Sequence, residues 1–285
     1  MSSETTQGQR EFEFVDRDFR RVCSLIHTHA GIALADSKRD MVYSRLSRRL
    51  RALGLETFGD YLNWLEREGS DEWQSFVNAL TTNLTSFFRE EHHFEHLRQL
   101  LPKLRQGSAK LRIWCSAAST GEEPYSIAIT ACEAFGSLTP PVEIIATDID
   151  TAVLATAQRG VYPLERIERL SQERRRAYFQ RGTGSNDGMV RINPALQALI
   201  SFSSLNLLDE RYPISGPFAA IFCRNVMIYF DKPTQREILA RMKPMLEPCG
   251  LLYAGHSESF FHAADLFRNL GRTIYAPVDA GGACA

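Results

Sequence analysis

The chain lacks an excess of charge of either sign: 33 lysines and arginines face 34 aspartates and glutamates, for a formal net charge of −1. No whole-molecule field therefore favours nucleic acid or an anionic membrane surface as partner, and electrostatic recognition has to come from a local patch. The six cysteines, Cys23, Cys115, Cys132, Cys223, Cys249 and Cys284, contain no C-x-x-C pair. That spacing fits reduced thiols rather than a disulfide framework or a zinc site. No apolar run reaches the length of a membrane span, and Met1 to Arg10 is too polar for a signal peptide. The expectation is a soluble cytoplasmic protein with no direct membrane insertion. His92 and His96 stand one helical turn apart, but the H-E-x-x-H arrangement is missing, so no metal site is expected.

What is present is enough apolar residue, 44% over 285 positions, to bury one large domain and a small one. From Asp18 to about Glu95 the periodicity is helical. Phe19, Val22 and Ile26 share one face, Val42, Leu46, Leu50 and Leu53 another, and Leu62 and Leu65 a third, with Gly31, Gly54 and Gly69 where helices should stop. After Pro102 short apolar runs alternate with helical stretches: Leu111–Cys115, Glu123–Phe135, Val142–Thr147, Thr151–Arg159, and later Phe218–Cys223, Gly250–Ala254 and Thr273–Val278. This is a doubly wound α/β pattern. Between Tyr178 and Leu207 three glycines bracket short β-like pieces, Val190–Ile192 and Ile200–Ser203, which read as a small β-rich insertion. The organisation predicted is a helical domain over 1–82, a linker helix over 83–109, and an α/β domain over 110–285 with the insertion at about 178–204.

The loop Ser116–Ser126 joins the first strand to its helix, with Ser119 or Thr120 as a candidate cap. Dinucleotide-binding loops at this position are rich in glycine, whereas this one has a single Gly121 followed by Glu122 and Glu123. Acids there repel phosphate and suit a cofactor with a cationic amine, for which Glu123 is the candidate; equally, they complement the helix dipole. Asp148 ends the second strand 27 residues after Gly121, where a carboxylate accepts from both hydroxyls of a ribose. A helix cap is the competing role, and Asp150 is the competing cap.

Four blocks in order, Ala79–Glu90 (ALTTNLTSFFRE), the loop Ala117–Ser126, Ala146–Asp150 (ATDID) and Cys223–Phe230 (CRNVMIYF), resemble the CheR family of chemoreceptor methyltransferases over roughly Phe19 to Ala276. The resemblance implies a class I S-adenosylmethionine-dependent methyltransferase fold. Its Rossmann-like, mostly parallel seven-stranded sheet would have one antiparallel strand near the C-terminus, preceded by a receptor-recognising all-α domain and interrupted by a small β-subdomain. It further implies S-adenosylmethionine as cofactor, S-adenosylhomocysteine as product, and glutamate side chains of methyl-accepting chemoreceptors as acceptors. By motif position, Asn83, Thr85 and Arg89 would close over the cofactor, with Glu123 and Asp148 as above. Asn206 and Leu207 would flank the adenine, and Cys223, Arg224 and Asn225 would lie at the end of the fourth strand. Val226 and Met227 replace the prolines of the Asn-Pro-Pro-Tyr loop of amino methyltransferases, which speaks against amine methylation.

A glutamate acceptor is ionised near neutral pH, its unperturbed pKa being about 4.3, so the transfer needs no general base. Arg89 and Tyr229 are the expected catalytic pair: they orient one carboxylate oxygen and replace lost water. Their ordinary alternatives are a salt bridge of Arg89 with Glu90 or Glu91, and a strand-end aromatic for Tyr229. Arg45, Arg48 and Arg51 recur every three residues along Lys38–Arg51 and form a basic stripe. Such stripes are commonly a solvated face, but this one complements a glutamate-rich helical substrate. The insertion, with Arg181–Gly184, resembles the family's docking site for a receptor C-terminal peptide, which would add a strand to a sheet edge. A monomer that takes no nucleic acid is expected. An RNA methyltransferase on the same fold and a non-catalytic S-adenosylmethionine sensor are the competing classes; turnover on receptor membranes separates them.

Overall fold

The computed structural model describes residues 10–67, 70–105 and 110–278. The chain divides after Thr81 into two compact units.

In the first unit, helices α1 (Asp16–Ala30), α2 (Arg39–Leu53), α3 (Phe58–Leu65) and α4 (Trp73–Leu80) bury the stripes anticipated from periodicity, with Val22, Ile26, Val42, Leu46, Leu50, Leu62 and Leu65 withdrawn from solvent. Gly31 and Gly54 end α1 and α2 in the left-handed conformation that a residue without Cβ adopts readily. Gly69 lies outside the described residues. A buried Glu72 accepts a two-pronged grip from Arg49, at 2.7 and 2.8 Å, and the Tyr61 hydroxyl at 3.0 Å.

The second unit is built on a seven-stranded sheet. Helix α5 (His92–Leu104) precedes strand β1 (Leu111–Cys115). Then come α6 (Glu122–Phe135), β2 (Val142–Asp148), α7 (Thr151–Arg159), β3 (Val161–Pro163), α8 (Gln172–Tyr178), β4 (Phe179–Arg181) and β5 (Met189–Ile192). A short α9 (Pro194–Gln197) leads to β6 (Ile200–Ser204), β7 (Phe218–Cys223), α10 (Lys232–Met242), β8 (Leu246–Ala254), β9 (Phe267–Gly271) and β10 (Ile274–Pro277). The strand order is β6-β2-β1-β7-β8-β10-β9. Strands β6, β2, β1, β7 and β8 are parallel to one another, and β10 runs antiparallel to both β8 and β9. β10 is thus the single reversed strand of this sheet, near the C-terminus as the resemblance implied.

Alternation sends Ile113, Cys115, Ile144 and Phe222 into one core with α5 and α6 residues, and Trp114, Ile145, Ile221 and Cys223 into the other with Ile238, Leu239 and Met242 of α10. Both faces are covered, as near-continuous apolar strands require.

The insertion differs from the sequence reading. The small sheet has the order β3-β5-β4, so it recruits Val161–Pro163, well before residue 178, and excludes Ile200–Ser203. That run is the edge strand of the main sheet, pairing in parallel with β2 from Ile144↔Ile200 to Asp148↔Ser204. Its half-exposed pattern is that of an edge with one uncovered side, which imitates a small separate sheet. The cysteine reading also needs one correction: Cys23, Cys115, Cys132 and Cys223 are free thiols, but Cys249 is disulfide-bonded. Among the described residues no helix is long and apolar enough to cross a membrane.

Candidate active site

The carboxyl ends of β1, β2, β6 and β7 meet where the order reverses between β1 and β7, the crevice in which open α/β sheets bind ligands. Gly121, rather than Ser119 or Thr120, is the N-cap of α6, with φ of 101°. A Cβ there would lie 2.7 Å from the Tyr162 hydroxyl and 2.9 Å from the Ala157 Cβ, so the turn accepts no side chain. Thr120 instead donates to Glu122 at 2.6 Å.

Asp148 ends β2 and is 8% exposed. It accepts the Ser119 N–H at 2.8 Å and the Asp150 N–H at 2.9 Å. Asp150 takes the capping role on α7, accepting from Ala152 and Val153, and also receives Asn83 Nδ2 at 2.9 Å. Burial pushes the Asp148 carboxyl up to about 6, against the lowering effect of its backbone donors. Leu205 N–H donates to the Asp148 carbonyl at 3.0 Å, which brings Asn206 and the buried Leu207 beside it at the exit of β6.

Glu123 and Arg224 meet across the switch point at 2.7 Å. Arg224 is buried, lies 3.3 Å from Glu90 and donates to the Arg89 carbonyl. The Cys115 thiol donates to the other oxygen of Glu123 at 3.3 Å. Burial raises the Glu123 carboxyl, with Arg224 opposing the rise. Glu90 also accepts the His256 N–H at 3.1 Å and contacts its ring Nδ1 at 3.0 Å. Despite the cost of burial, Arg224 and these donors hold its carboxyl down to about 2.

Arg89 makes no ion pair with Glu90 or Glu91 among the described residues, which removes the salt-bridge alternative. Its guanidinium donates to the Leu84 carbonyl at 2.9 Å, while the Tyr229 hydroxyl donates to the Thr82 carbonyl at 3.3 Å. Both groups are therefore tied to one short stretch, Thr82–Leu84. Arg166 holds the next turn through the Thr85 carbonyl at 3.2 Å. Of the described non-glycine residues with positive φ, four fall in these loops: Phe88 (53°), Glu90 (58°), Ser119 (48°) and Asn225 (58°). Each costs roughly 1–3 kcal/mol and persists only where its surroundings over-determine it.

Glu258 is a principal source of that over-determination. Its buried carboxylate accepts N–H groups from Gly255 at 2.5 Å, Asn225 at 2.9 Å and Met227 at 2.8 Å. Burial raises its carboxyl and these amides oppose the rise. Neither Glu258 nor Glu90 was among the expected site residues: Glu90 closes the Ala79–Glu90 block and was weighed only as a salt-bridge partner of Arg89, and Glu258 lies in no periodic pattern. Leu84, whose carbonyl anchors Arg89, and Ile228, the chain neighbour of Tyr229, were missed as well; they stand 78% and 53% exposed. The histidines of α5 have ordinary partners: His92 and His93 meet the Arg272 carbonyl, and His96 the Tyr253 hydroxyl at 2.9 Å.

In the first unit the three stripe arginines differ. Arg45 reaches the carbonyls of Ala79 and Thr81 at the end of α4, Arg51 pairs with Glu11, and Arg48 is exposed.

The site's donor set suits a cationic nucleoside. Glu90 and Glu123 flank one buried guanidinium, Asp148 stands at the end of β2, Glu90 Oε2 and Glu122 Oε1 are buried without a hydrogen-bond partner, and the loop has no glycine-rich cradle for phosphate. Residues 17–81 match the family model described as CheR methyltransferase, all-alpha domain, and residues 83–276 match CheR methyltransferase, SAM binding domain. The chain belongs to the CheR methyltransferase family. Chemotaxis protein methyltransferase 2 of Pseudomonas aeruginosa is 54% identical over 270 residues, covering 95% of this chain and 96% of that one. The chemotaxis protein methyltransferases of Salmonella typhimurium and Escherichia coli are 55% and 53% identical over 262 residues; each alignment covers 92% of this chain, and 90% and 91% of theirs. With CheR membership, the doubly wound unit is a class I methyltransferase domain and its cofactor is S-adenosylmethionine.

Proposed function

We propose that this protein esterifies glutamate side chains of bacterial chemoreceptors in the cytoplasm, as a monomer, for chemotactic adaptation. The cofactor supplies the electrophilic methyl group when bound. Asp148 would receive its ribose hydroxyls, the Glu123 and Glu90 carboxylates would offset its positive charge, and Asn83, Thr85, Arg89 and Asn225 would close the site. Asn206 and Leu207 would flank the adenine. Cys223 and the buried Arg224 would form the floor, Arg224 acting through its carboxylate partners.

The observation that carries the acceptor assignment is the shared anchoring of Arg89 and Tyr229 on Thr82–Leu84. A cation and a phenol anchored two residues apart on one stretch would together orient a carboxylate, and an acceptor already ionised at neutral pH requires no base. Exposed Leu84 and Ile228 offer apolar contact to side chains flanking the acceptor on an amphipathic helix. On α2, Arg48 is the arginine left outward for a glutamate-rich surface, with Arg51 and Arg45 in support. In the small sheet, β3 and β4 are the outer strands, so an extended receptor tail has an edge to extend. Tethering there raises the local substrate concentration.

The test is transfer of labelled methyl from S-adenosylmethionine to receptor-containing membranes, followed by mild base. Release of labelled methanol is expected; label that survives base would move the acceptor to nitrogen.

A further inference from the structure

Arg89 sits between two left-handed residues, Phe88 and Glu90, and Glu90 is held by Arg224 and His256. The hold on Phe88 comes from elsewhere. Its N–H donates to Ser126 Oγ at 2.9 Å, and the guanidinium of Arg174 on α8 lies 3.8 Å from the centre of its ring. Arg174 is clasped by Glu133 through Nε at 2.7 Å and Nη2 at 3.0 Å, and its remaining arm reaches Glu91 at 3.1 Å. One side chain therefore grips the residue before Arg89 and the second residue after it. The elements around the small sheet extend the same hold: the Phe87 ring packs edge-on against Tyr162 of β3 and Phe179 of β4, each 5.3 Å away.

We infer that Arg174 is a positioning residue for Arg89, so that the arm leading into the small sheet is part of the transfer apparatus as well as a neighbour of it. The inference rests on the carboxyl-methyltransferase reading. A guanidinium suits the task because its planar fork satisfies Glu133 on two donors, keeps a third for Glu91 and leaves its face for the aromatic ring. An ordinary half-exposed ion pair would contribute little, and its removal would leave turnover unchanged.

The test compares Arg174→Met, Arg174→Lys and Glu91→Gln with the wild type, measuring kcat and KM on receptor membranes, S-adenosylhomocysteine affinity by calorimetry, and thermal melting. Arg174→Met is expected to lower kcat at least tenfold in protein that still melts cooperatively and binds S-adenosylhomocysteine. Arg174→Lys, which keeps the cation over the ring but loses the clasp, should recover part of that loss. Glu91→Gln, a change at an exposed side chain, should lower kcat two- to threefold. In an Arg89→Ala background, Arg174→Met should cost nothing further, because it acts through the group already removed. Wild-type kcat in Arg174→Met, or full additivity with Arg89→Ala, overturns the inference. Should Arg174→Met fail to fold, unchanged kcat in both Arg174→Lys and Glu91→Gln overturns it. If the wild type itself leaves receptors unmethylated, the underlying reading fails, and this inference with it.

Discussion

Arg224 and Glu123 form a 2.7 Å ion pair that bridges the first turn of α6 and the end of β7, and Glu90 flanks the same guanidinium at 3.3 Å. Two carboxylates on one buried cation leave the cluster with an excess negative charge, which is the electrostatic condition for holding a cationic ligand.

Replacing Glu123 by Gln removes that excess while Glu90 still partners Arg224. Losing one charged hydrogen bond should lower stability by about 1.5–3 kcal/mol. Calorimetry with S-adenosylhomocysteine should show at least a tenfold weaker complex; unchanged affinity would detach Glu123 from the cofactor.

Asp148 links stability to cofactor binding through pH. Its folded pKa of about 6 lies above the unfolded value near 3.9, so the folded state binds the extra proton between those limits and stability falls as pH rises through that window. Above pH 6 the ionised carboxylate costs on the order of 2–3 kcal/mol. Asp148→Asn should therefore raise the melting temperature of the ligand-free protein at pH 7.5. In the wild type, affinity for S-adenosylhomocysteine should weaken as pH drops through 6, because a protonated carboxyl loses acceptor capacity. The variant should bind poorly at every pH, with a flat profile over this range. A wild-type affinity constant from pH 5 to 8 would remove Asp148 from the ribose.

Arg89→Ala and Tyr229→Phe probe acceptor orientation. The first should reduce turnover on receptor membranes at least a hundredfold, the second about tenfold, positioning being the main catalytic contribution available without a base. Cofactor affinity, measured separately, should fall less than turnover in Arg89→Ala. Retained turnover would sink the assignment.

The α2 arginines separate structure from recognition. Arg45→Ala should destabilise the helical unit, since Arg45 satisfies carbonyls at the end of α4. Arg48→Glu should leave melting within about 0.5 kcal/mol while weakening receptor methylation, most visibly at low salt. Equal activity of Arg48→Glu and wild type at low salt would dismiss the basic stripe as a substrate contact.

The sequence announced whatever is periodic or contiguous. The runs Leu111–Cys115, Val142–Thr147 and Phe218–Cys223 are largely apolar on both faces and read as strands, and Asp148 follows from where the second one stops. Edge elements were less legible. Ile200–Ser204 buries only part of its surface, and Val161–Pro163 is three residues long with a proline, so neither carries a periodic signal. The supports of the site were hardest to read because each is one polar residue whose partner is remote: Glu258 reaches back 33 residues to Asn225, Arg224 spans 101 to Glu123, and Arg174 spans 83 to Glu91. Long-range pairs of this kind leave no mark on local composition.

The ties among Thr82, Leu84, Arg89, Arg224, Asn225 and Tyr229 close on themselves: Arg89 to Leu84, Arg224 to Arg89, and Tyr229 back to Thr82. A closed circuit of side-chain-to-carbonyl contacts opens as a unit or not at all. The amides of Asn225, Met227 and Gly255, all held by Glu258, should therefore exchange with deuterium at a common rate, and a single cut anywhere in the circuit should speed all three together.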